Sequence, residues 1–553
     1  MSPLRLLRNL GRTREIVLVL LNHGFGDLVE RLGLLRYLRW WNRVVMRRGE
    51  GPPSVTAPER IRLVLEELGP TFVKFGQMAS TRPDLVPPGV IAQLQRLQER
   101  VAAFSSDEAV ALVESELGGS LDQLFSWFDR SPLAAGSLGQ VHRARLPDGT
   151  EVAVKIRRPN AARDVERDLA LMSELAGLIE AHIPEAEVFD PQGLVQQFAR
   201  SIRRELSFQR EGRTIDEFRR HFSHDASLVL PRVYWERTSE GVLTMDYLEG
   251  LSVGDTQGLK DAGYQTELLA ANGARVFLKM AFELGLFHGD PHPGNLRVLP
   301  GGVLGLLDFG MVGRLEPDKR ELLVDLLASV AHRDVTACVN LILQIGRPSR
   351  PVDRPLLQAD VRDFIETFYG VPLDRVDMRR LLGDFVTILS THGIRYPADL
   401  MLLFRAIVTL ESVGRQLDPQ FNLSVPLRPF VERMIRERYS PGQMVSRALL
   451  ETRTVAGIVA EIPRQLGRTL GKLSSDDLRI QLEHRHLEHL ISELDRSGNR
   501  IVTGMVMSAL ILATALIIRA GGPAPGWLAG AAFILSSVLG VWLIVGIFRS
   551  GRL

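Results

Sequence analysis

The chain has 553 residues, 45% of them hydrophobic and 24% charged, which is enough for a large folded body of more than one domain and too apolar for a disordered chain. Its 67 basic and 65 acidic residues leave a formal net charge of +2, so no global field draws it to nucleic acid and no nucleic-acid partner is expected. The single cysteine, Cys338, excludes an internal disulfide and a cysteine-based zinc site, and agrees with a reducing cytoplasmic setting.

At the start of the chain, IVLVLL (16–21) is too short to span a bilayer and lacks a small-residue cleavage site, so no signal peptide is read there. RLGLLRYLRWWNRVVMRR (31–48) then interleaves arginine with leucine and tryptophan at helical spacing. Residues 1–56 therefore read as a basic, amphipathic helical segment, and two placements stay open: on an anionic membrane surface, or packed on the body. Helical periodicity dominates residues 57–117, with Ile61, Leu65 and Leu68 on one face and Ile91, Leu94 and Leu97 on another.

Residues 118–250 read as a small β-rich lobe. SPLAAGSLGQVHRARL and EVAVKI are strand-like runs joined by PDGT, a turn in which proline sets φ and glycine accepts a positive one. Helical patterning occupies Ala161 to Phe222, followed by two further strand-like segments, VLPRVYWE and GVLTMDYL. Ala134-Ala135-Gly136-Ser137-Leu138-Gly139-Gln140-Val141 keeps the second and third glycines and the valine of the kinase loop G-x-G-x-x-G-x-V, where small residues let backbone N–H groups approach nucleotide phosphates. Val152-Ala153-Val154-Lys155 follows at the place of V-A-I-K, so Lys155 is the expected phosphate-bridging lysine. Glu205 and Glu211, in RRELSFQREG, are both candidates to hold it, and spacing alone does not choose between them. Met245 and Leu248, in GVLTMDYL, are expected to complete the nucleotide pocket.

Residues 251–440 read as a larger, mostly helical lobe. His288-Gly289-Asp290 is followed by Asn295 at the spacing H-x-D-x-x-x-x-N, and then, across a strand, a Pro-Gly-Gly turn and a second strand, by Asp308-Phe309-Gly310. This set supplies the parts that phosphoryl transfer requires: Asp308 and Asn295 to hold Mg²⁺ on ATP, and Asp290 to accept or orient the proton of the attacking group. Gly289 stands where many protein kinases carry an arginine, and His292 stands at the lysine position. After Asp308-Phe309-Gly310 the chain runs through MVGRLEPDK directly into the helical pattern ELLVDLLASV, with no A-P-E and no long activation segment. A small-molecule acceptor is therefore favoured over a peptide.

Beyond a helical juxtamembrane region (441–499), residues 500–553 hold two uncharged runs, Ile501 to Ile518 and Trp527 to Phe548, joined by a Gly/Pro loop. Each is about long enough to cross a hydrocarbon core of roughly 30 Å. Arg496, Arg500, Arg549 and Arg552 flank this expected hairpin, against Arg519 alone in the loop, which puts both ends and the body in the cytoplasm.

LGPTFVKFGQMASTRPDLVPP (68–88), taken with the alanine-rich loop and HGDPHPGN, closely resembles the UbiB/ADCK family of atypical kinase-like proteins, linked to ubiquinone biosynthesis and, in plastids, to prenyl-lipid metabolism. The resemblance covers about Pro58 to Gly313. It implies an α+β, bilobal protein-kinase-like fold with a helical extension folded over the active site, and the C-terminal two-helix transmembrane hairpin suits the bacterial members anchored in the inner membrane. It also implies that Lys74 and Gln77 are signature residues, that Glu205 faces Lys74 and that Glu211 pairs with Lys155. Two departures stand out: Glu205-Leu206-Ser207 replaces the family's Glu-x-Asp, and Gly136 replaces an alanine thought to disfavour ordinary phosphoryl transfer. Gly136 relaxes the backbone there, so readier ATP binding or turnover than in relatives is expected. The implied function is a membrane-anchored kinase or ATPase using ATP and Mg²⁺, with an isoprenoid quinone precursor or other prenyl lipid, the membrane and quinone-biosynthesis enzymes as partners. A true protein kinase and a non-catalytic, nucleotide-gated scaffold are the alternatives.

Overall fold

The computed structural model describes residues 10–35 and 55–438, apart from 83–84, 98–101, 184–185, 187–188 and 369–376, together with scattered helical positions between 501 and 538. The chain divides into two units, Met1–Ser446 and Arg447–Leu553.

In the first unit, helices α1 (Leu10–Asn22), α2 (Gly26–Arg31), α3 (Ala57–Leu68), α4 (Pro70–Ala79) and α5 (Pro88–Leu94) build the extension. Gly69, at φ +96°, breaks α3 from α4, and Pro70 fits the first turn of α4, where its missing N–H costs nothing. The apolar stripes of both helices, with Leu65, Leu68, Phe72 and Val73, are buried in one core with Leu94 and Leu97. Gly76 of the Lys-Phe-Gly-Gln stretch is needed for this packing, because a Cβ there would overlap Leu97 and Leu65. Arg12 ties α1 down by donating to Asp168 Oδ1 (3.0 Å) and to the Leu68 carbonyl (2.6 Å). Of the arginine-rich amphipathic stretch, residues 36–48 lie outside the described residues, while Leu32 and Leu34 are buried in a cluster that Leu175 and Leu178 pack against.

The small lobe follows α6 (Ser106–Leu117), α7 (Leu121–Leu124), β1 (Trp127–Phe128), β2 (Ala134–Ala135), β3 (Gly139–Arg145), β4 (Glu151–Arg157), α8 (Ala161–His182), α9 (Pro191–Glu205), α10 (Phe208–His221), β5 (Leu228–Val229) and β6 (Val242–Asp246). Its sheet is antiparallel in the order β1-β3-β4-β6, with β2 on β3. The Pro-Asp-Gly-Thr turn joins β3 to β4 with Arg145 opposite Glu151 and Gly149 at φ +89°, the hairpin expected. One sheet face buries Val152, Val154 and Ile156 with Ala109 and Val113 of α6. VLPRVYWE (229–236) departs in part from expectation: only Val229 lies in a strand, Leu228–Val229, which pairs with the large lobe, while Val233 makes a single antiparallel bridge to Met245 of β6. Pro231 has no N–H for a ladder, and Trp235–Arg237 forms a 3₁₀ turn.

The large lobe adds β7 (Leu251–Ser252), α11 (Thr256–Asp261), α12 (Thr266–Leu278), β8 (Leu286–His288), β9 (Leu296–Leu299), β10 (Val303–Leu306), β11 (Val312–Arg314), α13 (Pro317–Ala331), α14 (Val335–Ile345), β12 (Arg347–Pro348), α15 (Arg354–Phe368), α16 (Met378–Thr391), β13 (Ile394–Arg395), α17 (Ala398–Leu417) and α18 (Ser424–Arg438). The hairpin between Asn295 and Asp308 is β9–β10, paired from Leu296–Leu306 to Leu299–Val303. β11 pairs with β8 and α13 begins at Pro317, so the chain passes from Asp308-Phe309-Gly310 straight into helix. Helix α17 runs through the lobe's core, burying Leu400, Leu403, Ala406 and Leu410.

In the second unit, most of the two uncharged C-terminal runs lies outside the described residues. Among the described residues no helix is long and apolar enough to cross a membrane. The described positions between 501 and 538 are helical, and Ile501, Met505, Leu512, Leu516, Ile534 and Val538 are exposed there.

Candidate active site

Strand β4 alternates buried valines with Lys155, whose stem rises from the sheet into the cleft. Its ammonium donates to Glu211 Oε1 and Oε2 (2.8 and 2.9 Å) and to Asp308 Oδ1 (3.0 Å). Glu211 is the inward-facing acid in the first turn of α10 and is 5% exposed, and one of its oxygens also accepts from the Phe309 N–H (3.3 Å). Burial works against the charged lysine, but the Asp308 and Glu211 carboxylates outweigh it and hold its pKa above the ordinary value. Burial pushes the Glu211 carboxyl up to about 7 against the pull of Lys155. Asp308 meets the same desolvation, yet Lys155 holds its pKa well below the usual carboxylate range, and 44% of its side chain faces the open cleft.

His288 joins the two acid-bearing turns. The Asp290 N–H donates to its Nδ1 (3.2 Å), which leaves Nε2 as the protonated nitrogen donating to the Asp308 carbonyl. Burial lowers its pKa, and the ring is neutral. Asn295 donates to the Asp290 carbonyl (3.2 Å). Gly289 stands at the arginine position of other kinases, and a Cβ there would lie 2.8 Å from Leu402 Cδ2 on α17, so that the leucine side chain would have to shift.

The glycine-rich turn is closed by a Gly136 N–H to Gly139 carbonyl bond (2.8 Å), and Ala134 and Ala135 pair with Val141 and Gln140. Gly139 packs flat on β4, where a Cβ would lie 2.5 Å from the Ile156 carbonyl oxygen. Gly136 stays outside the left-handed region, so the conformational freedom expected of a glycine there is not used. Leu138, at the turn's tip, is buried in the same core as Phe72 and Val73 of the extension.

Ala134, Ala135, Gly136, Ser137, Gly139, Val141, Lys155, Met245, Leu248, Asn295 and Asp308 all line one cavity of about 470 Å³. Glu211 stands behind Lys155. A second cavity of about 850 Å³ adjoins the first and shares Lys74, Glu205, Asn295 and Asp308 with it. Lys74 Nζ reaches Glu205 Oε1 at 2.6 Å, while Gln77 donates to the Leu97 carbonyl (3.2 Å) and lines the second cavity. Ser207, the departure from Glu-x-Asp, precedes α10 and leaves the Lys74–Glu205 pair intact. Asp290 also lines the second cavity, and Arg405 of α17 approaches it, Nη2 to Oδ1, at 3.9 Å. Sequence reasoning missed Arg405, because the α17 pattern reads only as a buried helix.

The sequence pattern of the ABC1 atypical kinase-like domain matches residues 96–342, that of the UbiB helical domain 361–422, and that of the ABC1/UbiB kinase-like C-terminal domain 485–549. A protein named "Probable protein kinase UbiB" from Xanthomonas campestris pv. campestris (strain 8004) is 31% identical over 542 residues, 96% of this chain and 97% of that one. The chain belongs to the ABC1/UbiB family. An uncharacterized protein of Synechocystis is 34% identical over 463 residues, 83% of this chain and 79% of its own. A Mycobacterium tuberculosis protein solved in complex with erythromycin overlays with a TM-score of 0.46 at 24% identity, over 64% of this chain and 90% of that one. Apart from Lys74 of the extension, the first cavity is lined by residues within the kinase-like match, whereas the second draws more heavily on the extension and also on the UbiB helical domain.

Proposed function

We propose that this chain is a membrane-anchored, atypical kinase-like ATPase or small-molecule phosphotransferase that uses Mg²⁺-ATP in isoprenoid quinone biosynthesis or prenyl-lipid handling. The observation that carries this reading is Lys155 held at once by Glu211 and Asp308 at the mouth of a nucleotide-sized cavity. The quinone assignment rests on family membership and on the name of the Xanthomonas relative.

Asp308 and Asn295 offer hard oxygen donors on one cavity wall, a set that suits Mg²⁺. The bound ion supplies charge neutralisation across the phosphate oxygens. Lys155, positioned by Glu211, turns from Asp308 to the phosphates. Backbone N–H groups of the 134–139 turn approach them from above. Asp290 takes the proton of the attacking hydroxyl or water as the new P–O bond forms, and the bond to the leaving ADP breaks.

Helices α4 and α5 wall off the Asp290 side of the cleft, where a kinase would otherwise receive a peptide, which supports a small acceptor over a protein. Exposed Ile501, Met505, Leu512 and Leu516 suit a lipid-facing helix and support inner-membrane anchoring with the body in the cytoplasm, beside quinone-biosynthesis enzymes. The test is Mg²⁺-dependent nucleotide binding and ATP turnover by the full-length protein in anionic liposomes. Binding without turnover under any lipid condition would assign the chain to scaffolding instead.

A further inference from the structure

The 850 Å³ cavity has a distribution of charge that the phosphate-handling residues do not explain. Its three carboxylates, Glu205, Asp290 and Asp308, all stand at the end shared with or next to the nucleotide cavity. Two of them have close cationic partners, Lys74 at 2.6 Å and Lys155 at 3.0 Å. The wall formed by α16 and α17 contributes two arginines, Arg379 and Arg405, and no carboxylate. Arg405 is 3.9 Å from Asp290 Oδ1, beyond hydrogen-bond distance, so that contact uses none of the five N–H donors of its guanidinium. Arg379 donates to the neutral Ser412 hydroxyl (2.6 Å).

The rest of the chamber mixes uncharged polar side chains, among them Gln77, Thr387 and Thr409, with a set of apolar ones. Met78 of α4, Ile91 of α5, Leu382 and Val386 of α16, and Phe404 and Val408 of α17 face it from opposite sides. A guanidinium such as that of Arg405, flanked by Phe404 and Val408, is stabilised most by an anion that brings its own apolar surface. The volume falls in the range of cavities that enclose a whole small ligand.

We propose that this chamber binds an amphiphile with an acidic head group, its anion held by Arg405 beside Asp290 and its tail lying between the extension and the UbiB helical domain, towards Arg379. The proposal rests on reading the adjoining cavity as the nucleotide site, and it names the class of molecule that site acts beside. The order of the parts follows from the geometry: the head group lies next to the shared end, where the phosphates are, and the tail lies away from it. A neutral amphiphile of the same length lacks the contact that fixes this orientation.

The test uses the full-length protein in phosphatidylcholine nanodiscs and two photoreactive probes, dodecyl phosphate and dodecan-1-ol, each with a diazirine at the tail end. Labelled residues are mapped by mass spectrometry. The phosphate probe is expected to label α4, α5, α16 or α17 saturably, and the alcohol about tenfold more weakly. Arg405→Gln should raise the half-saturating concentration about tenfold, and Arg405→Lys should restore most of the loss. Gly383 lies on the chamber wall with open space around its missing side chain, so Gly383→Trp should fold and abolish labelling.

Equal labelling by both probes, or unchanged affinity in Arg405→Gln, overturns the proposal. So does displacement of the probe by an equal concentration of inorganic phosphate, which would make the occupant a free anion. Mg²⁺-ATP binding by the same nanodiscs is measured in parallel. Its absence would count against the nucleotide reading, while the labelling result still decides the chamber.

Discussion

Lys155 Nζ lies 3.0 Å from Asp308 Oδ1, an ion pair that joins the small-lobe strand β4 to the Asp-Phe-Gly turn of the large lobe. Glu211 completes it from α10, so three separate elements meet at one ammonium group. Removing the cation leaves two carboxylates facing one another in the cleft. Lys155→Met is expected to cost about 3 kcal/mol of stability, as loss of one partner from a largely buried pair does, and to abolish nucleotide binding. Denaturant unfolding and a nucleotide-binding titration check the two halves separately, and Lys155→Arg should recover stability more than binding.

Lys74 and Glu205 stand where the two cavities join, and their 2.6 Å pair fastens α4 to the end of α9. Glu205→Gln should loosen the extension without unfolding the lobes. Amide hydrogen exchange is expected to speed up over residues 70–79 and to change little across α12 and α17.

The Leu138 side chain lies in the extension's core, so the phosphate-binding turn and the extension share one packing unit. Leu138→Ala should cost about 2 to 3 kcal/mol and raise exchange on both sides of the contact, at residues 134–141 and in α3 and α4. Protection changes confined to the turn would contradict this coupling.

Gly136 stays outside the left-handed region, so Gly136→Ala is expected to leave stability within about 1 kcal/mol of the original. A fall in nucleotide affinity or turnover in that variant then reports crowding at the phosphates. Unchanged affinity and turnover would remove Gly136 as the source of any readier ATP use.

Burial lowers the pKa of His288 and of His142. Below their ordinary value of about 6.5, the unfolded chain binds protons that the folded chain refuses, so stability is lost as pH falls from that value towards the folded pKa. His142 stays neutral between the Asp129 carbonyl and the Gln140 amide. Unfolding free energy measured between pH 5 and 8 should decline on the acid side, and His288→Gln should flatten part of that decline.

The phosphate-handling set was legible because its chemistry fixes residue types at short spacings. Asp290, Asn295 and Asp308 are separated only by a turn and a hairpin, and the strand carrying Lys155 follows its glycine-rich turn directly. The choice between Glu205 and Glu211 needed the family resemblance, since both lie on amphipathic helices and only the packing of α9 and α10 turns one to Lys74 and the other to Lys155. Arg405 and the second chamber were not legible. They arise where α16 and α17 pack opposite α4 and α5, helices far apart in the chain whose patterns announce only burial. Gly289 was visible as a missing arginine, but the approach of Leu402 from α17 to that position is a tertiary fact.

The most direct measurement is ATP consumption by the full-length protein in anionic liposomes, with and without a quinone-precursor mimic, beside Asp308→Asn. Turnover that rises with the lipid and disappears in the variant is the expected result. Mg²⁺-dependent nucleotide binding with no turnover, or turnover that survives Asp308→Asn, would contradict an active site built around Lys155 and Asp308.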